Sequence, residues 1–155
     1  MPLSQYSMAD DVLTVSWAFP VPQQDVWNAF RQPTLLSQWL GRATECDLRP
    51  GGRVLIDHGD GFGSKSLVLT ANEPELLAMT WNFPDEPESQ LEFSLDPTEQ
   101  GSTLELRHLK LGNLTGAYLP GWLTHLTFLE AAVSGTPLPA AQFWPLHSTL
   151  QALCP

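Results

Sequence analysis

The stretch Leu119 to Ser134, LPGWLTHLTFLEAAVS, constrains the fold more than any other part of the chain. Trp122, Leu126, Leu129 and Val133 recur at i, i+4, i+7 and i+11, which is one stripe of an α-helix. Pro120 sits where a first-turn proline is tolerated, and Gly135 where a C-terminal stop is expected. Almost everything before this stretch reads as strands. A single long amphipathic helix after a run of antiparallel strands must bury its stripe against their sheet. The sequence therefore predicts a sheet that wraps this helix and leaves a cavity between the two.

The strands are legible from alternation. In Val12 to Phe19, Leu13, Val15, Trp17 and Phe19 share one parity and face the core. Pro20 and Pro22 end that strand. Two short helices follow, Gln23 to Arg31 with Val26, Trp27 and Phe30 apolar, and Pro33 to Trp39 with Leu35, Leu36 and Trp39 apolar, stopped by Gly41. About six strands come next by pattern counting. They are Thr44 to Leu48, Arg53 to His58 after the turn Arg49-Pro50-Gly51-Gly52, Phe62 to Asn72, Leu76 to Phe83, Gln90 to Asp96, and Thr103 to Leu109. Short turns between them imply an antiparallel meander. Lys110 to Tyr118 reads as loop. After Gly135 a Pro-rich segment leads to a tail in which Phe143, Leu146, Leu150 and Leu153 fall on one helical face. That face predicts a short helix that packs within the chain or against a second copy in a homodimer.

Charge and composition exclude several roles. The 155 residues suit a single domain, 1–155, with its core at about 11–135 and the Pro-rich segment and short helix at 136–155. Seven basic against seventeen acidic residues give a net charge of −10. Such a surface repels phosphate backbones and anionic lipid, so nucleic acid and membrane are not expected partners. No apolar run approaches the ~20 residues of a membrane span, and the first residues carry no signal-peptide pattern. Cys46 and Cys154 lie far apart without ligand spacing, which points to a reduced, cytoplasmic protein.

The order of elements, together with VPQQDVWNAFRQPTLLSQWLG (Val21 to Gly41), DLRPGGRV (Asp47 to Val54), LLAMTW (Leu76 to Trp81), STLELRH (Ser102 to His108) and GWLTHLTFLEA (Gly121 to Ala131), resembles the START-like (SRPBCC) superfamily. Within it, the chain looks like the branch related to the C-terminal domain of the activator of Hsp90 ATPase. The resemblance covers Leu13 to Ser134. It implies an α+β helix-grip fold: a curved antiparallel sheet wrapped around a long C-terminal helix, with two short helices after the first strand. Relatives with that fold bind lipids, hormones or polyketides, or assist a chaperone, so the fold alone does not choose a function. The tail after Gly135 matches no motif of the family, and no upstream domain like that of the eukaryotic co-chaperone is read here, which weighs against an Hsp90 role.

The function expected first is binding of a small, largely apolar molecule between sheet and helix. Inward parity and the helix stripe select Trp17, Ile56, Trp81, Phe93, Leu106, His108, Trp122, His125 and Leu126 as lining residues. Such a wall of apolar groups with one or two polar points suits an apolar ligand, and the same residues would equally fill an ordinary core. The second expectation is a cyclase- or dehydratase-type enzyme using the same cavity, with His108 or His125 as acid or base. The alternative for each histidine is a core group satisfied by one hydrogen bond. The third is a protein-interaction module related to the Hsp90 activators. No catalytic motif is present: there is no GxSxG elbow, and Gly59 to Lys65 lacks phosphate-loop spacing. No cofactor or metal is expected, since HxH, HExxH and CxxC spacings are absent and Asp57 and His58, adjacent on a strand, face opposite sides.

Overall fold

The computed structural model describes residues 2–155. Its centre is one antiparallel sheet of eight strands: β1 (Leu3–Ala9), β2 (Val12–Phe19), β3 (Arg42–Cys46), β4 (Arg53–Gly59), β5 (Phe62–Asn72), β6 (Leu76–Trp81), β7 (Ser89–Thr98) and β8 (Gly101–Leu109). Their order across the sheet is β1-β2-β8-β7-β6-β5-β4-β3. The six strands β3 to β8 form the expected meander, and β2 closes against the last of them, with Val15 opposite Leu106 and Leu13 opposite His108. Two short helices, α1 (Gln23–Arg31) and α2 (Pro33–Leu36), follow β2. The long helix is α3 (Thr115–Val133), and the tail forms α4 (Phe143–Leu153).

Inward parity holds along the strands. Leu13, Val15, Trp17 and Phe19 are buried, as are Leu77, Met79 and Trp81 on β6 and Leu91, Phe93 and Leu95 on β7. Trp27 and Phe30 of α1 and Trp39 after α2 join the same core, and the Trp39 indole donates to the Ala29 carbonyl at 2.9 Å. These contacts fix the helical insert over the sheet's concave side.

The structure corrects the sequence reading in three places. The first is β1, which was not expected. LSQYSMA has no apolar alternation because all but Leu3 stay exposed, and its hairpin turns on Asp10 at φ 56 without the Asn-Gly signal. The second is the start of the long helix, at Thr115 and not Leu119, so that Lys110 to Tyr118 is only partly loop. Pro120 thus lies in the second turn, where its missing N–H leaves the Gly116 carbonyl without an intrahelical donor. The third is the burial of α3, which spreads beyond one stripe. Leu119, Trp122, Leu126 and Leu129 are buried, and so are Leu123, Thr124 and Phe128, because α1 and α4 pack on α3 as well as the sheet. Of the two places foreseen for the tail, this structure shows packing within the chain.

Candidate functional site

His108 stands at the middle of the grip, on β8, with none of its surface exposed. The Trp122 indole donates to its Nδ1 at 3.0 Å. An indole N–H can only donate, so Nδ1 is the bare nitrogen and Nε2 carries the proton. Nε2–H then donates to Ser89 Oγ at 2.7 Å, and the Ser89 hydroxyl turns to the Trp81 carbonyl at 3.4 Å. Both ring nitrogens are used, and the ring is neutral. Burial pushes its pKa down to about 3, because a charged ring would lose its hydration; a second proton would also set two donors, His108 Nδ1–H and Trp122 Nε1–H, against each other.

A second chain runs outward beside the first. The Trp81 indole donates to Tyr118 Oη at 3.0 Å, and the Tyr118 hydroxyl donates to the Glu86 carboxylate. Burial, with that carboxylate alongside, raises the phenol pKa well above its ordinary value. The Tyr118 and His108 rings are 4.5 Å apart. Trp81 continues to the surface through Phe83 and Phe62, whose planes are within 4° of parallel. Exposure grades along this line from 4% at Trp81 to 50% at Phe62.

His125 lies half-buried on α3, and its ring is 5.7 Å from that of Trp122. Its Nδ1–H donates to the Trp39 carbonyl at 2.8 Å. His58, on β4, bonds the backbone of Leu40 and sits 2.8 Å from Ser64 Oγ through Nε2. The two histidines thus satisfy consecutive carbonyls left open where the α2 turn ends, and tie the helical insert to α3 and β4. Burial lowers both pKa values, that of His125 to about 4. His125 Nε2 has no protein donor among the described residues and, on this half-buried ring, stays open to water.

The structure brings the nine sequence-selected residues together on the inner surface of the grip. Trp17, Ile56, Trp81, Phe93, Leu106, His108, Trp122 and Leu126 are all buried, and His125 sits at the margin. The open cavity expected from the sequence is filled in this conformation. Five buried tryptophans, Trp17, Trp27, Trp39, Trp81 and Trp122, help to close it, and the void beside them, lined by Phe30, Leu36, Trp39 and Met79 among others, measures about 10 Å³, about the room one water needs. Among the described residues one buried side-chain polar atom has no partner: Trp17 Nε1, on the inner face of β2. His58, Tyr118, Glu86 and Phe143 were missed as site residues. Parity with Ile56 would have found His58, whereas the other three meet the site only through tertiary folding. Among the described residues no group of three His, Cys, Asp or Glu side chains is placed to hold a metal ion, and no helix is long and apolar enough to cross a membrane. Cys46 is half-buried against the Phe30 and Arg31 carbonyls, and burial raises its pKa, so it lacks the thiolate character of a nucleophile.

A curved antiparallel sheet closed on a long C-terminal helix, with a helical insert after the second strand, defines an α+β helix-grip protein of the START-like class. Within that class the chain belongs to the family described as Activator of Hsp90 ATPase homolog 1-like protein, whose model matches residues 20–134. Solved structures of the same fold include CalU16 from Micromonospora echinospora, 22% identical with TM-score 0.75 over 92% of this chain and 85% of that one. DynU16, a protein of the dynemicin biosynthetic locus, is 24% identical with TM-score 0.76, over 83% of this chain and 49% of its own. Protein MLL2253 from Mesorhizobium loti is 25% identical with TM-score 0.73, over 82% of this chain and 99% of that one. In sequence, an uncharacterized protein of Schizosaccharomyces pombe is 25% identical over 97 residues, 61% of this chain. The match spans only 28% of that relative's length.

Proposed function

We propose that the protein binds a small, largely apolar molecule between the concave face of the sheet and α3. The observation that carries this reading is Trp17 Nε1, a donor buried on the inner face with no acceptor. Buried polar groups are nearly always paired, and an orphan asks for a partner. An apolar molecule with one carbonyl or ether oxygen would supply it. The family supports the reading, and so does a fold shared with DynU16, a protein of the dynemicin biosynthetic locus. The cyclase-type alternative draws on the same fold, but its base could not be His108, whose two nitrogens are both occupied.

Native mass spectrometry of the purified protein, followed by mild denaturation, tests the proposal. A co-purifying small molecule released on denaturation is the expected result. At a hundredfold excess over Kd that molecule stabilises by about 2.7 kcal/mol, which raises Tm by roughly 5–10 °C for a chain of this size. Trp17→Phe is expected to hold or gain up to about 1 kcal/mol in the free protein, because it removes an unpaired buried donor. It is also expected to weaken binding about tenfold, the worth of one hydrogen bond. A bare protein that no apolar compound stabilises, or binding indifferent to Trp17→Phe, would remove the proposal.

A further inference from the structure

The tail is held in an unusual way. Helix α4 has no buried residue. Among the described residues, no hydrogen bond or ion pair joins 137–155 to the rest of the chain; the bonds of this segment are all internal to it. Its docking is purely apolar, through Leu138, Phe143, Leu146, Leu150 and Cys154. A tether containing Pro137 and Pro139 separates it from α3. Segments with few buried contacts and no cross-bonds open at the low end of the stability range.

What α4 covers is specific. The Phe143 ring lies 4.8 Å from His125 and 5.4 Å from Phe128. Phe143 is an apolar ring seated beside an imidazole whose Nε2 is left to water. Beneath it the wall continues inward, with Trp122 at 5.7 Å from His125 and His58 at 6.4 Å. A molecule that matched the apolar seat and carried a hydroxyl would make the Phe143 contacts and donate to the nitrogen in place of water.

We propose that α4 is a displaceable lid: Phe143 occupies a seat against His125 and Phe128, and an apolar ring bearing a hydroxyl takes that seat by donating to His125 Nε2. This rests on the ligand-binding reading above and names its entrance and the ligand class it admits. It also accounts for a filled interior in a chain of this fold, since the mobile element is outside the sheet and the way in lies under it.

The experiment uses the full chain with Cys46→Ser, so that Cys154 at the end of α4 is the one thiol. Its rate of modification by a thiol-specific disulfide reagent reports opening of α4, and 2-naphthol and naphthalene serve as probes in calorimetric titration. The expected results are that 2-naphthol accelerates Cys154 modification severalfold, and that Phe143→Ala binds 2-naphthol about tenfold more tightly than the parent. Leu150→Ala loosens α4 without touching the seat and shifts affinity the same way, which separates lid opening from any misfolding of Phe143→Ala. His125→Asn keeps a donor for the Trp39 carbonyl but loses Nε2, and is expected to bind 2-naphthol no better than naphthalene. If 2-naphthol binds while Cys154 modification stays unchanged, or Phe143→Ala and Leu150→Ala leave affinity as it was, the lid is wrong and the interior pocket stands. If neither the parent nor either α4 variant binds 2-naphthol, the lid and its ligand class both fall. The pocket reading is then judged on the co-purified molecule and Trp17→Phe.

Discussion

Acidification from pH 7 to pH 4 is expected to unfold the protein in one cooperative step, with most of the loss coming from histidine. His108 and His125 are neutral in the fold, with pKa values held down to about 3 and about 4 by burial. In the unfolded chain both titrate near the ordinary value, ~6.5. Between ~6.5 and ~4, then, the unfolded state binds protons that the folded state refuses, and stability falls as pH falls. These two groups add nothing above ~6.5. Below it each removes up to about 1.4 kcal/mol per pH unit, so together about 5 kcal/mol is gone by pH ~4.5. That is comparable to the whole stability of an ordinary domain, about 5–15 kcal/mol. His58 shifts in the same direction and adds to the slope. Asp47 and Asp57, each hydrogen-bonded to an arginine, have lowered pKa values, and their contribution is lost only further down, as they protonate in the acid range.

Urea denaturation at half-unit steps of pH measures this directly. A second variant assigns it. His125→Asn keeps the bond to the Trp39 carbonyl while removing one titrating group, so the pH slope should drop by about one proton with stability at pH 7 nearly kept. A stability that is flat between pH 7 and 4.5 would mean that the histidines are solvated and that the hydrogen-bond chain from Trp122 to Ser89 does not persist in solution.

The same histidines show which parts of the site could be read from the chain. His108 was assigned inward because it shares parity with Leu104 and Leu106, and a period of two leaves no freedom once the face is fixed. Its saturation was not legible, because Ser89 and Trp122 reach it from another strand and from α3. The long helix announced itself through Trp122, Leu126 and Leu129. Its first turn did not, since Gly116 and Pro120 are helix breakers by propensity and only burial of Thr115 and Leu119 against the core overrides them. Strand β1 was silent for the opposite reason. Apart from Leu3 at its start it is held by backbone pairing with β2, so its side chains carry little imprint of a core. Tyr118, Glu86 and Phe143 came from segments read as loop or tail, and their roles exist only where α3, the β6–β7 loop and α4 converge.

Gly101→Ala is expected to be among the most damaging single methyl additions in this chain, costing about 3–5 kcal/mol. Gly101 opens β8 at φ 153, a backbone region that side chains rarely occupy. Strain is the smaller part. A Cβ there would stand 2.2 Å from the Phe19 carbonyl oxygen, 2.8 Å from Val21 N and 2.9 Å from the Pro20 carbonyl carbon. All three are backbone atoms, so no rotamer change relieves the clash. The neighbouring residue makes retreat costly too. Ser102 pairs with Phe19 across the β2–β8 ladder, and its hydroxyl donates to the Val21 carbonyl at 2.8 Å. Pushing Gly101 away therefore unpicks the junction where β2 turns into α1, and with it the attachment of the helical insert that His58 and His125 hold from the other end. Gly61→Ala separates the two contributions. Gly61 also has positive φ, at 81, but nothing lies within 4 Å of its added Cβ, so it carries strain without collision and should cost only about 1 kcal/mol. Urea midpoints for the two variants that differ by less than about 1 kcal/mol would mean that the β2–α1 corner yields freely, and that the insert is not anchored there.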